Sequence, residues 1–451
     1  MMSEKRKGLF QNPDIVVFLL PVAGLIVLGL VEFMETIFQI RGKSPSASYY
    51  FLQLTYVVVG WPLLLCTAML VPANKNDQEK SALQYDRLIN GCIMLAATAL
   101  LMIAVDRMFI QKVDYSDGVV AAREYWRAGA LERGTPSSIL SVLGNLLYPL
   151  VFVAAILLTV SYETARWGVA RTCIVISIIF AQLFITGGRT SILLLCIVFT
   201  GALLMRKILR KPMLPKGARL VLGMAVLIMA LLLVTIFSLR ATHNRMNQDE
   251  YVAALLERHH GEWSDNESEI EILQGSALAV VVYLVHPKWV FQQVIENSEG
   301  LNGYALLYQA HVVLVSRLSG LIGMDLDSSV WTHAGNWLSL PGQAFHDFGG
   351  VGVILLSMVM WSLLAVVVYA VKRDMQVTTR CTSPAIVVIG SVVFGMFVWS
   401  PAYSMFDIVE GLYLSFSVMV VMIMSKLVGG GRTAYKSNHS FKPARGVPSS
   451  Q

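Results

Sequence analysis

Charged side chains are scarce in this sequence. Of its 451 residues only 14 % are Asp, Glu, Lys or Arg, while 55 % are apolar; a soluble domain carries nearer a quarter charged residues. That scarcity excludes an ordinary soluble enzyme. Cysteine is scarce as well: Cys66, Cys92, Cys173, Cys196 and Cys381 lie in or beside apolar runs, which leaves no disulfide or metal framework. Also missing are an internal repeat of fixed period and the strict apolar/polar alternation of membrane barrel strands.

What is present instead is a series of continuous apolar runs of about 20 residues, the length of a membrane-crossing helix. Ten spans are expected, at residues 15–34, 49–71, 88–105, 139–160, 172–188, 191–205, 220–239, 351–371, 384–399 and 411–427. The fold class is therefore all-α: a polytopic integral membrane protein. Lys5, Arg6 and Lys7 precede a first run too long for a cleavable signal peptide, so it reads as an uncleaved helix. Residues 1–239 form a first membrane domain of seven helices, 240–350 a large loop with short helices, 351–428 the last three spans, and 429–451 a disordered tail rich in Gly, Ser, Pro and basic residues.

The net charge of +6 is a topology signal rather than a nucleic-acid footprint. With the N-terminus inside, the basic loop containing Arg206, Lys207, Arg210, Lys211, Lys216 and Arg219 is cytoplasmic, as are Lys372, Arg373, Arg380 and the tail. The loop 240–350 then lies outside, with thirteen acidic residues against five basic ones, Arg240, Arg245, Arg258, Lys288 and Arg317. Its length makes it the place to look for function. Two apolar patches within it, 277–285 and 304–323, read as helices that lie on or dip into the membrane; if both crossed, the count would be twelve with the same orientation. A second outer loop, 106–138, holds an amphipathic stretch in which Arg123 and Arg127 share a face, with Tyr125 and Trp126 at the interface.

Several candidates for chemistry stand out. The turn Thr186-Gly187-Gly188-Arg189-Thr190-Ser191 joins two spans made from fewer residues than the roughly 40 that two crossings prefer, which pulls it towards membrane depth. A charge at the bilayer centre costs about 2.5–3.5 kcal/mol, so Arg189 should face a cavity or partner. The glycines allow close backbone approach, and Thr190 and Ser191 open a helix whose free N–H groups favour an anion. A snorkelling interfacial turn is the plainer alternative. Arg240 follows the seventh span at the outer surface, with Thr242, His243 and Arg245 behind it; as a helix-end anchor or an anion ligand, it opposes the positive-inside rule.

Seven of the eight histidines, His243, His259, His260, His286, His311, His333 and His346, fall in 240–350. Histidine suits proton transfer from a hydroxyl. His346-Asp347, immediately before a span, must lie at the membrane surface, although adjacent helical residues point apart and orient each other only if the backbone turns suitably. Asp325-Leu326-Asp327 has the spacing of a metal-binding Asp-x-Asp, but no His or Cys set completes a site. No metal and no cofactor are expected.

The pattern resembles the Wzy-type oligosaccharide repeat-unit polymerases of bacterial surface polysaccharide synthesis. The pieces that carry the resemblance are Gly187-Gly188-Arg189-Thr190 between two short spans, one large external loop late in the chain, and its closing His346-Asp347-Phe348-Gly349-Gly350-Val351-Gly352. The resemblance implies a polyprenyl-glycan polymerase/ligase, GT-C-like architecture with 10–12 spans in the bacterial inner membrane, both termini cytoplasmic and the large loop periplasmic. It also implies transfer of a glycan from an undecaprenyl diphosphate carrier to a sugar hydroxyl of another lipid-linked repeat unit, without metal. In that scheme Arg189, Arg240 and Arg317 stabilise charge on the leaving diphosphate. A histidine or carboxylate would activate the hydroxyl; His346, placed five residues before Val351 and so at the membrane surface, is the expected proton acceptor, with Asp347 or another acid as alternative. Partners would be the lipid-linked oligosaccharide, membrane lipid, and a chain-length regulator and flippase of the same pathway. Some members carry Arg-x10-Gly motifs; Arg123 and Gly134 have that spacing, as chance allows among many arginines and 34 glycines. The competing expectations are an O-antigen ligase, which uses the same donor but a lipid acceptor, a transporter or flippase, and a structural subunit of a synthesis complex.

Overall fold

The computed structural model describes residues 13–38, 40–42, 44–70, 82–133, 138–163, 165, 167–188, 190–212, 214–258, 261–263, 275–297, 338–377, 383–407 and 409–436. The chain is an all-α membrane protein: among the described residues nine helices are long and apolar enough to cross a bilayer, and Pro384–Trp399 and Glu410–Ser425 are shorter apolar helices. In order, the elements are α1 (Pro13–Ile37), β1 (Ile40–Arg41), α2 (Ala47–Val58), α3 (Trp61–Leu70), α4 (Ala82–Val105), α5 (Gly118–Arg133), α6 (Ile139–Leu147), α7 (Leu150–Ser161), α8 (Gly168–Thr186), α9 (Thr190–Ile208), α10 (Lys216–His243), α11 (Gln248–Arg258), β2 (Glu262–Trp263), α12 (Ser276–Glu296), α13 (Leu340–Val377), α14 (Pro384–Trp399) and α15 (Val409–Lys436). A π-helical turn, Asp106–Ile110, ends α4.

Two expected spans are each broken into two helices. The second divides at residues 59–60 into α2 and α3, and the fourth at Tyr148-Pro149 into α6 and α7. Pro62 and Pro149 lack the N–H that an unbroken ladder needs, and each stands at the start of the following segment, where the missing donor costs least. The helix α15 continues to Lys436, past residue 429 where a disordered tail was expected to begin. The stretch 429–436 holds no proline, so the span's hydrogen-bond ladder carries on through its three glycines; 437–451 lie outside the described residues.

Polar contacts sort the helix ends into two sets. At one end Arg206 of α9, 2 % exposed, donates to the Thr159 carbonyl at 2.7 Å and the Val160 carbonyl at 3.3 Å at the foot of α7. There too Lys372 donates to Ala68 O at 2.6 Å, and Arg171 pairs with Asp86. Arg206 and Lys372 sit where helix dipoles present carbonyl oxygens, whereas Arg171, in the first turn of α8, is matched to a carboxylate. At the opposite end Ser46 N reaches Gln292 Oε1 at 2.9 Å, Thr190 Oγ1 donates to Glu410 Oε1 at 2.7 Å, and Leu340 N donates to Ser400 O at 3.1 Å. Helices α1, α2–α3, α4, α6–α7, α8, α9, α10, α13, α14 and α15 alternate between the two ends, so the first begins and the last finishes at the basic one.

The remaining long helix, α12, does not follow this alternation. Its Lys288, 4 % exposed, is clamped by Glu32 at 2.5 Å and by Glu35, near the end of α1. Trp289 Nε1 donates to Glu35 at 2.7 Å, and Tyr283 packs on Phe237 of α10 with ring centroids 5.0 Å apart. Every one of these partners stands at the end opposite the basic one, so α12 lies across that end of the bundle. The expected patch at 277–285 is thus part of a helix of 21 residues, longer than predicted because its polar second half is held by Glu32 and Glu35. The β1–β2 pair, Ile40 opposite Trp263, lies close by, and the Trp289 indole presses on the backbones of Gly42 and Gly261. The second patch, 304–323, lies outside the described residues.

The tightest crossing in the bundle is α9 on α14. A Cβ on Gly201 would stand 1.7 Å from Ser391 O, and one on Gly395 would stand 2.0 Å from Ile197 O, so the two backbones touch, as small residues permit in membranes. By contrast, α10 exposes Leu220 (69 %), Val226 (54 %) and Leu231 (58 %), a face suited to lipid. Gly201→Leu should therefore cost about 3 kcal/mol or more, the upper range for overpacking, whereas Gly223→Ala on α10, with nothing within 4 Å, should be neutral or stabilising by up to ~1 kcal/mol. Thermal unfolding of the two purified variants in detergent checks both signs.

Candidate functional site

The turn between α8 and α9 is the focus of the end that α12 covers. Gly187 closes α8 in the left-handed region (φ +59°), and its N–H bonds to Leu183 O at 2.8 Å. A side chain there would be strained, and its Cβ would press on Arg123 and the Val119 carbonyl at 3.1–3.3 Å. A helix end leaves its last carbonyls without partners, and arginines supply them here. Arg107 donates to Ile185 O at 3.0 Å with Tyr115 OH at 2.7 Å, while Arg123 donates to Gly187 O at 2.7 Å and Arg240 to the same oxygen at 3.4 Å. Arg107 also lies 4.4 Å from the centre of the Trp126 ring. Its neighbour Asp106, fully buried, receives hydrogen bonds from Ser138 and Gln111, which fixes the π-helical turn.

Beside this turn opens a cleft of about 240 Å3, lined by Arg123 and Glu124 of α5, Arg240 of α10 and Asn244 just after it, Tyr251 and Arg258 of α11, and Tyr283 of α12. The fold delivers Arg258 through a short connection: Arg245 takes a left-handed conformation (φ +56°), and Asn247 and Glu250 cap α11 by exchanging backbone-to-side-chain hydrogen bonds of 2.8 Å. Gln248 Nε2 then ties α11 to Ser238 Oγ at 3.0 Å. His243 Nε2 meets Glu124 Oε2 at 2.7 Å across the rim, joining α10 to α5.

Three guanidiniums thus face one carboxylate, and that carboxylate is engaged by His243. Guanidiniums ~8 Å apart at an effective dielectric near 20 repel by about 2 kcal/mol per pair; an anion between them reverses the sign. Each guanidinium has five donors, so capping the Gly187 carbonyl leaves Arg240 with several more. Arg258 makes no hydrogen bond or ion pair among the described residues. The arrangement is suited to holding a multiply charged oxyanion.

Of the residues singled out from sequence, Arg240 lines this cleft. Arg189 and Arg317 lie outside the described residues, as do His259, His260, His311, His333, Asp325 and Asp327; Thr190, next to Arg189, opens α9. His346 and Asp347 stand in the first segment of α13, before its break at Gly349. Neighbours on a helix were expected to point apart, yet His346 Nδ1 and Asp347 Oδ1 are 3.1 Å apart, and Asp347 is 2 % exposed. One turn earlier, Gln343 accepts from Ser404 Oγ at 2.8 Å, and the adjacent Tyr403 donates to Tyr283 O at 2.7 Å, so the pair sits at the same end as the cleft. Phe345 packs on Phe291 (6.1 Å), roughly 12 Å along α12 from Tyr283 at 1.5 Å per residue. Among the described residues no group of three His, Cys, Asp or Glu side chains is placed to hold a metal ion.

Arg107, Arg258 and Tyr283 were not singled out from sequence, and the Arg123 spacing was attributed to chance. The signal that could have found the three arginines is the one that found Arg240: each is a cation at the end of the bundle opposite the basic one, where the positive-inside rule leads one to expect few. Comparison with protein-family models, with curated proteins and with solved structures finds no match for this chain.

If the cleft binds a polyanion, pyrophosphate should raise the melting temperature of the purified protein, by the equivalent of about 2.7 kcal/mol at 100 times its dissociation constant. Arg258→Ala, at an exposed position, should weaken that shift without changing the melting temperature of the free protein. Absence of any shift in the unaltered chain would remove the anion assignment.

Proposed function

We propose that this chain is a membrane glycosyltransferase that joins lipid-diphosphate-linked oligosaccharide repeat units on the outer face of a bacterial inner membrane. The observation that carries the reading is the arginine-lined cleft at the end of the bundle opposite the basic one. By the positive-inside rule the basic end faces the cytoplasm, so the cleft opens outward, where an undecaprenyl diphosphate carrier would present its glycan. Support also comes from the turn beneath the cleft, whose residues carry the resemblance to Wzy-type polymerases.

In this reading a hydroxyl of the acceptor glycan attacks the anomeric carbon of the donor. The bond from that carbon to the diphosphate oxygen breaks, and the diphosphate leaves with the electron pair. Arg123, Arg240 and Arg258, with Arg189 and Arg317 from the sequence reading, stabilise the developing charge, since a guanidinium fork matches phosphate oxygens better than an ammonium does. His346, aligned by buried Asp347, takes the proton of the attacking hydroxyl. Aromatic Tyr251 and Tyr283 form an amphipathic wall for the glycan next to the diphosphate.

In a deletion strain carrying variants, Arg240→Ala should lower polymer output about 10–100-fold, the equivalent of the ~1.5–3 kcal/mol carried by a hydrogen bond to a charged group, and Arg240→Lys should recover only part. His346→Gln should lower it by about 10²–10⁴-fold. Electrophoresis of the surface polysaccharide reads both: single repeat units on the acceptor mark loss of a polymerase, whereas an acceptor carrying none would mark a ligase. Normal chain lengths in Arg240→Ala would overturn the reading.

A further inference from the structure

The carboxylate in the arginine cleft is turned away from the arginines. Glu124 lines the same space as Arg123, Arg240 and Arg258, yet among the described residues it forms no ion pair with any of them; its Oε2 meets His243 Nε2 at 2.7 Å on the rim instead. A guanidinium fork suits a carboxylate better than a single ring nitrogen does, so the choice of partner is unexpected. Around the pair, Arg123 comes from α5, Arg240 from α10, Arg245 from the connection that follows, Tyr251 and Arg258 from α11, and Tyr283 from α12. Glu250, at the start of α11, is committed to Asn247, and the adjoining end of α8 presents the Gly187 carbonyl, which does not titrate. Of these residue types, histidine is the one that ordinarily changes charge between about pH 5 and 8.

A plain structural account covers part of this. The two side chains are 34 % and 54 % exposed, and a bridge so open to solvent adds little to the fold; it joins α10 to α5 at the rim. What that account does not cover is where the bridge leaves the charge. Glu124 is the natural counter-ion for the guanidiniums, and His243 keeps it out of the space between them.

We propose that His243 and Glu124 form a proton-operated gate on the cleft, a proposal that rests on the anion assignment above. With His243 protonated, a charge-assisted hydrogen bond holds Glu124 at the rim, and the guanidiniums face an open cleft. With the ring neutral and its proton on Nε2, the bond is about half as strong. Glu124 then turns inward onto a guanidinium and competes with the ligand as an internal anion. Loss of the proton also removes one positive charge from the rim. Both effects have the same sign: anion affinity rises as the pH falls through the histidine range. Because the cleft lies at the end assigned to the outer face, the gate answers to external pH and not to that of the cytoplasm.

Sulfate is a suitable probe because it stays a dianion throughout that range, and its titration into the purified full chain in detergent, at constant ionic strength, reads affinity directly. The unaltered chain should bind it more tightly at about pH 5 than at about pH 8, by at least about twofold, the effect of one unit charge at ~8 Å in water, and by up to about 30-fold at an effective dielectric near 20. His243→Gln, which keeps a neutral donor, should hold the weaker affinity at both values; Glu124→Gln, which removes the internal anion, should bind more tightly than the unaltered chain at the higher one. An unaltered chain with the same affinity at both values would overturn the gate and leave the anion assignment standing. The gate would also fall if His243→Gln kept the full pH dependence, if Glu124→Gln bound less tightly at the higher pH, or if His243→Gln failed to fold, which would make the bridge structural. If neither sulfate nor pyrophosphate bound at any pH, the anion assignment would fall and the gate with it.

Discussion

A helix that ends at the edge of a bilayer leaves its last carbonyl oxygens unpaired in a place with little water, and in this protein cations supply the missing donors. Arg206 does so for α7, Lys372 for α3, and Arg107, Arg123 and Arg240 for α8. The arrangement is favourable on two counts, since each bond satisfies an orphan acceptor and each charge meets the negative end of a helix dipole. At the basic end this agrees with the topology rule. At the other end it opposes it, and the opposition is informative. At this turn Arg123 and Arg240 share the one Gly187 carbonyl, and the cleft beside it adds Arg258, which caps no carbonyl among the described residues.

Helix α12, between α10 and α13, is tied to that end. Lys288 is buried between Glu32 and Glu35, and breaking a buried pair of this kind costs about 3–5 kcal/mol because the remaining charge has no partner. Through it α12 is fixed on α1, while Tyr283 on the same helix walls the cleft and supports Tyr403. One helix thus joins the first span, the arginine cleft and the segment that holds His346. The Lys288 clamp makes α12 part of the membrane domain rather than an appendage to it.

Much of the scaffold is legible in the sequence because a run of about 20 apolar residues has one use in a membrane protein. The crossing helices fall where apolar runs are, and the alternation puts the start of α1 and the end of α15 at the basic end. The breaks at residues 59–60 and at Tyr148-Pro149 are not legible, because the apolar pattern continues across them. The length of α12 is hidden for a different reason: His286, Pro287 and Lys288 interrupt the apolar run, and only Glu32 and Glu35, distant in sequence, make burial of Lys288 tolerable. The site is half legible. Arg240 and the Gly187 turn are visible as charge and glycine at an unexpected depth, but spacing along the chain does not reveal that Arg123 and Arg258 converge on them, nor that adjacent His346 and Asp347 touch.

The central claim is that this bundle joins glycans by displacing a lipid diphosphate. The most direct measurement reconstitutes the purified chain in lipid vesicles with a polyprenyl-diphosphate-linked repeat unit as both donor and acceptor, and follows glycan length and released lipid diphosphate together. The account predicts a ladder of longer glycans and one lipid diphosphate released for each glycosidic bond. Release without elongation, elongation without release, or movement of the lipid-linked unit across the membrane with neither would contradict it.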